Sequence, residues 1–221
     1  QVLEWGAMFP DRVRALVAIA TTAAAGAWQI AFSAAGRRAV ALDPRWRGGD
    51  YYDAAPGDGP HEGLAVARAL AQTTYRSDPV FQERFGRERS RSLDTFDLWE
   101  DFEVERYLRY HGEKLVRRFD ANSYLVLNKA MDLHDLGRGR GGLANAFARI
   151  EAPVLTMSIS SDTLYPPHQQ YELRDGLRAA GRECDHVLVD SPQGHDGFLL
   201  ETEAVGAAVA DFLTSVEKRD A

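Results

Sequence analysis

The 221 residues are 45% hydrophobic and carry a formal net charge of −7, enough apolar material for a core built as one domain or one domain with an insertion. A pI near 5.4 with no basic stripe argues against a nucleic-acid partner, and no apolar run approaches membrane-spanning length. A single cysteine, Cys184, excludes an internal disulfide and fits a reducing cytoplasm, and no Cys/His spacing suits a metal. The densest basic patch, Arg87-Glu88-Arg89-Ser90-Arg91, is surrounded by acids and reads as a solvated face.

Gln1 to Phe9 predicts a helix with Val2, Leu3, Trp5, Ala7 and Met8 as its apolar surface, stopped by Pro10-Asp11. Arg14 to Ala20 is a short continuous apolar run, as a buried parallel strand requires. A helix followed by such a strand is half of a βα repeat, and Gln1 is no translation start. The chain is therefore expected to begin inside a domain. From Ala23 to Arg149 helical periodicity takes over. Ala27 to Leu42 is one helix, Arg45 to Pro60 a Gly/Asp/Pro/Tyr-rich loop, Glu62 to Tyr75 a second helix and Pro79 to Phe85 a short third. Asp101 to Asp132 carries one or two long helices, with Phe102, Tyr107, Leu108, Leu115, Phe119, Tyr124 and Leu127 as expected core positions. Gly137 to Gly142 reads as a flexible connector.

Strands return with Val154 to Ile159 and around Val187 to Val189. Helices follow at Pro167 to Ala180, closed by Gly181, and at Glu203 to Val216. The pattern predicts an α/β fold with a mostly parallel, doubly wound sheet. Its core comprises residues 1–22 and 150–221, and the helical insertion, 23–149, is expected to act as a lid.

Each of the last two strands runs into a loop that carries a chemical group. The first loop is Ser160-Ser161-Asp162-Thr163-Leu164-Tyr165-Pro166-Pro167. The second is Ser191-Pro192-Gln193-Gly194-His195-Asp196-Gly197. Loops at strand ends present catalytic groups in α/β enzymes, and imidazole moves protons near neutral pH. An Asp loop followed by a His loop has the acid-then-base order of an α/β-hydrolase triad. Alone, a Gly-His in a loop is as well read as a solvated histidine.

Blocks along the chain resemble the homoserine O-acyltransferases, specifically the α/β-hydrolase-fold homoserine O-acetyltransferases. They are Gln1-Val2-Leu3-Glu4-Trp5 with Pro10-Asp11-Arg12-Val13, Ile19-Ala20-Thr21-Thr22, Arg47-Gly48-Gly49-Asp50-Tyr51-Tyr52, and Gly63-Leu64-Ala65-Val66-Ala67-Arg68 with Thr74-Tyr75-Arg76. Further blocks are Phe102-Glu103-Val104-Glu105, Arg118-Phe119-Asp120-Ala121-Asn122-Ser123-Tyr124-Leu125, Ala130-Met131-Asp132-Leu133, and the Asp162 and His195 loops. The resemblance implies a Ser-His-Asp triad in which Asp162 orients His195, with Arg68, Tyr75 and Asp196 contacting homoserine. It also implies acetyl-CoA as co-substrate with no bound cofactor, a role in methionine biosynthesis, a cytoplasmic location, and a homodimer formed through the lid helices. The physical chemistry is compatible: an arginine fork suits a carboxylate, and an aspartate suits an ammonium. Arg68 and Tyr75, seven positions apart, are expected to share one helix face.

The sequence departs from this pattern in one major respect. It contains no Gly-x-Ser-x-Gly, so the expectation is a fragment that lacks the nucleophile and is inactive alone. A smaller departure is Ser160 where the family has an acid, with Tyr165 in place of Phe. Left open are a succinyl donor, serine as acceptor, a plain esterase, and a non-catalytic dimerising module of the same fold.

Overall fold

Three apolar runs become three strands, β1 (Leu16–Ile19), β2 (Val154–Ile159) and β3 (Cys184–Val189), in one parallel sheet of order β1-β2-β3. Leu16 pairs with Val154 and Ile19 with Met157, while Val154 pairs with Cys184 and Ile159 with Val189. The computed structural model describes residues 1–55, 57–90, 98 and 102–220. Pro56, Arg91 and Asp101, within stretches read above from the sequence, lie outside the described residues. All six residues of β2 are buried, because a central parallel strand is covered on both faces. On one face Val154 and Cys184 pack with Leu3 and Ala7 of α1 (Val2–Met8), Phe147 of α7 (Leu143–Ala148), and Leu173 and Leu177 of α8 (Pro167–Ala179). On the other face Leu155, Met157, Ile159 and Val189 meet Phe212 and Val216 of α10 (Thr202–Asp220). Both faces of the sheet are thus wound, as the sequence predicts.

The chain divides into two compact units, Gln1–Ala25 with His134–Ala221, and Gly26–Leu133. Residues 23–25 and 134–149 therefore group with the sheet rather than with the helical insertion to which the loss of strand pattern assigned them. The reason is local. Ala25 N–H donates to the His134 carbonyl at 2.9 Å and Leu136 N–H to the Ala23 carbonyl at 2.9 Å, around an antiparallel bridge between Ala24 and Asp135. Leu136 is fully buried in the sheet unit's core. The glycine connector is likewise tied down. Arg140 donates to both carboxylate oxygens of Glu4 on α1, at 3.4 and 2.6 Å, and to the Leu136 carbonyl at 2.8 Å.

The second unit holds five helices among its described residues: α2 (Ala27–Leu42), α3 (His61–Gln72), α4 (Asp78–Phe85), α5 (Glu103–Val116) and α6 (Ala121–Asp132). Its core is Val40, Leu64, Ala67, Leu115 and Ala121. Glycines set the closest approaches. A Cβ on Gly63 would lie 2.7 Å from the Ala39 carbonyl oxygen, and one on Gly112 would lie 2.8 Å from that of Ala65. The long helical stretch is two helices, and Asp120 starts the second by accepting from Ser123 N–H at 2.7 Å. The expected loop after Leu42 contains a 3₁₀ helix, Pro44–Gly49, opened by Asp43, which accepts from Arg45 N–H. Of the expected core positions, Leu115 is buried, whereas Phe119 and Leu127 are exposed. Leu127 sits on the α6 face turned to solvent, opposite the Ala121 and Asn128 side.

Candidate active site

The β2 and β3 runs end at adjacent carboxyl ends of the sheet, so the loops that follow them are neighbours. Asp162 lies in the first loop, its side chain wholly shielded from solvent. One carboxylate oxygen, Oδ1, accepts the backbone N–H groups of Leu164 and Tyr165, both at 2.8 Å. The other, Oδ2, lies 2.8 Å from Nδ1 of His195. These charge-assisted bonds compensate the cost of burying the carboxylate, and they fix its rotamer. His195 sits in a one-turn 3₁₀ helix, Gly194–Asp196, which leads into α9 (Gly197–Leu200). Gly194 has φ +69°, a left-handed value that favours glycine. The carboxylate accepts from Nδ1–H, which places the imidazole lone pair on Nε2. The ring is held on two sides, with Tyr165 and Phe198 ring centroids each 5.3 Å away. It remains 17% exposed. The arrangement can take a proton at Nε2 while Asp162 stabilises the imidazolium that results.

Asp196 follows His195 directly and is half-buried at the start of α9. It therefore belongs to the same corner of the sheet unit. Arg68 and Tyr75 lie in the helical unit, and there the sequence expectation needs correcting. Tyr75 does not share a helix face with Arg68, because α3 ends at Gln72. The Thr73 and Thr74 hydroxyls donate to the Leu70 and Ala71 carbonyls, and these bonds close the helix at that point. The turn nevertheless folds Tyr75 back. Arg68 Nη1 donates to its hydroxyl at 3.0 Å, with the guanidinium 4.8 Å from the ring centroid. Tyr124 shares this neighbourhood. Burial pushes its phenol up, the Tyr75 phenol adds to the shift, and the Arg68 and Arg37 guanidiniums oppose it. The sequence marks Tyr124 as a core aromatic within a resembling block, and not as a neighbour of Arg68.

Serines near the Asp–His pair are committed to the loops themselves. Ser160 donates to Asp190 Oδ1 at 2.8 Å, Ser161 to the Ser191 carbonyl at 2.6 Å, and Ser191 to Glu201 Oε1 at 2.6 Å. A second imidazole, His186 on β3, lies between two hydroxyls of β2: Thr156 at 2.9 Å from Nδ1 and Ser158 at 3.1 Å from Nε2. Burial holds its pKa below the ordinary imidazole value, with Arg174 and Arg178 adding to the effect. The sequence does not single out His186, since one histidine inside a strand carries no spacing signal. Burial likewise pushes the Cys184 thiol up to about 11, so it is an unreactive core group. Among the described residues no three His, Cys, Asp or Glu side chains are grouped to hold a metal ion, and no helix is long and apolar enough to cross a membrane.

Comparison with known proteins agrees with this architecture. Residues 1–202 match the family model described as alpha/beta hydrolase fold. The chain is 45% identical over 223 residues to a homoserine O-acetyltransferase of Carboxydothermus hydrogenoformans, a match covering 100% of this chain and 58% of that protein. Among solved structures, it resembles homoserine O-acetyltransferase from Bacillus anthracis with a TM-score of 0.85 at 22% identity, covering 96% of this chain and 56% of the other. It resembles esterase E22 equally well, with a TM-score of 0.86 at 23% identity, covering 96% and 58%. At these identities the two structures speak for the fold alone. The chain spans a little over half the length of the relatives it matches. A parallel sheet wound on both faces, an Asp–His pair at its carboxyl edge and a family match along 202 residues lead to one assignment: the chain belongs to the α/β-hydrolase fold family.

Proposed function

We propose that the protein carrying this chain is a homoserine O-acetyltransferase, moving the acetyl group of acetyl-CoA to the γ-hydroxyl of L-homoserine for methionine biosynthesis in the cytoplasm. The observation that carries the reading is the 2.8 Å contact between His195 Nδ1 and the buried Asp162 carboxylate. The relative at 45% identity carries the name homoserine O-acetyltransferase. In this reading His195 takes the proton of an attacking serine hydroxyl and later that of homoserine, and Asp162 holds the imidazole tautomer. The 221 residues contain no Gly-x-Ser-x-Gly, so the reading assigns the serine to a part of the protein outside them. Arg68 and Tyr75 bind the acceptor's carboxylate and Asp196 its ammonium. No bound cofactor enters the chemistry. Two copies associate through the lid helices.

An Asp–His pair of this geometry serves ester hydrolysis as well as acyl transfer, and hydrolysis is the second reading. The two separate kinetically. With the full-length protein, CoA release from acetyl-CoA is followed with and without L-homoserine. Transfer predicts a burst without homoserine and steady turnover with it. Turnover that ignores homoserine supports the esterase and overturns the transferase.

A further inference from the structure

The β2–β3 ladder ends where Ile159 pairs with Val189, and Ser160 N–H extends it by one bond to the Val189 carbonyl at 2.9 Å. Beyond that point the two loops carrying Asp162 and His195 must be kept in register by something other than strand pairing. Two serine hydroxyls, those of Ser160 and Ser161, bond across the loops, and a third, that of Ser191, braces the second loop. Ser160 Oγ accepts Ser191 N–H at 3.0 Å while donating to Asp190. Ser191 Oγ, on a residue only 2% exposed, accepts Gln193 N–H at 3.1 Å while donating to Glu201. Ser161 Oγ accepts Gly194 N–H at 2.8 Å while donating to the Ser191 carbonyl at 2.6 Å. Each hydroxyl thus uses its one proton and at least one lone pair, and a hydroxyl so engaged has one rotamer.

Ser161 stands apart by its place in the chain. It precedes Asp162, and its partner Gly194 precedes His195. The bond from Gly194 N–H to Ser161 Oγ and the bond from His195 Nδ1 to Asp162 Oδ2 are therefore consecutive rungs between the same two loops. The Gly194 amide is aimed by a φ of +69°, a conformation in which few alternatives exist for its donor. Without the Ser161 oxygen this buried amide has no partner, and the turn must shift to find water. A shift there moves the next residue, the imidazole.

We propose that Ser161 is a positioning residue, whose hydroxyl sets the distance between His195 and Asp162 by bonding the turn on which His195 sits. The kinetic part of the claim rests on the acid–base role given to the pair above; the geometric part does not. Misplacing a reacting group by about 1 Å costs on the order of a hundred-fold in rate. In the full-length protein, Ser161→Ala is expected to lower kcat by about ten- to a hundred-fold, with KM for homoserine little changed. Ser161→Thr, which keeps the oxygen, should recover most of the loss. The His195 Nδ1 proton, recorded by proton NMR, should exchange faster with solvent in Ser161→Ala than in the wild type or Ser161→Thr. Should Ser161→Ala not fold, Ser161→Cys replaces it, since the thiol fills the site but is a weaker acceptor for the Gly194 amide. Unchanged protection of the Nδ1 proton in the alanine or cysteine variant overturns the proposal, whatever the activity. Faster exchange with unaltered kcat, in a protein where His195→Ala is also active, keeps the positioning role and overturns the acid–base reading instead.

Discussion

A buried carboxylate held by two amides and one imidazole is a rigid anchor, and it makes His195 and Asp162 act together. Replacing either in the full-length protein, His195→Ala or Asp162→Asn, is expected to reduce turnover by roughly a thousand-fold or more. The double variant should be scarcely worse than His195→Ala alone; multiplicative losses in a steady-state assay would contradict a joint role. Arg68 and Asp196 are expected to act on the acceptor step only. Arg68→Ala and Asp196→Ala should spare the CoA burst and slow homoserine-dependent deacylation by about thirty- to several-thousand-fold. Arg68→Lys should rescue incompletely, because an ammonium lacks the planar fork. A lost burst would move both residues to the donor step. His186 gives a pH signature of another kind. Burial lowers its folded pKa below the ordinary value of about 6.5, and burial does the same to His134. The unfolded chain therefore binds more protons once the pH falls below about 6.5. Stability is complete above that pH and declines as acid approaches the folded values. Thermal unfolding followed from about pH 7 to pH 5 should show this decline, with a shallower slope in His186→Gln. An identical slope in that variant would exclude His186 as a source.

At the scale of elements, close approach decides more than hydrophobicity does. Gly63 and Gly112 let α3 meet α2 and α5 with backbone against backbone. Gly63→Ala or Gly112→Ala should each cost about 1–3 kcal/mol through overpacking. A Cβ on Gly206 in α10 would meet nothing within 4 Å, and Gly206→Ala should stabilise by about 0.5–1 kcal/mol. Chemical denaturation of the three variants checks both signs. The same contrast explains what the sequence makes legible. Ala27–Leu42 and Val154–Ile159 are readable to the residue, because each is a long run with one unmistakable period or none. The end of α3 falls three residues before the expected Tyr75, since Thr73 and Thr74 stop a helix through hydroxyls that bond backwards, without glycine or proline to mark it. Asp162 and His195 are visible because each follows a strand-like run. The serines that join their loops are visible as residues but not as partners, since their bonds link positions some thirty apart.

At the scale of the whole molecule, α6 is among the elements that leave large apolar side chains exposed. Val126, Leu127 and Met131 on α6 are more than half exposed, and Leu133 follows at its end. Their spacing of one, four and two positions keeps them on one side of the helix, the surface expected of a subunit contact. Light scattering of the full-length protein should give the mass of a dimer, and Leu127→Glu with Met131→Glu should give a monomer. A monomeric wild type at micromolar concentration would remove the proposed association.

The bridge between Ala24 and Asp135 has a consequence for how such a protein can change. The chain leaves the sheet unit and re-enters it at two points held one hydrogen bond apart. Everything from Gly26 to Leu133 is therefore spliced in at a single seam. Closing a longer or shorter excursion changes the chain entropy slowly, by about 0.6 kcal/mol per doubling of length. The length of the excursion between Ala24 and Asp135 is thus only weakly constrained by the cost of closing it at that seam.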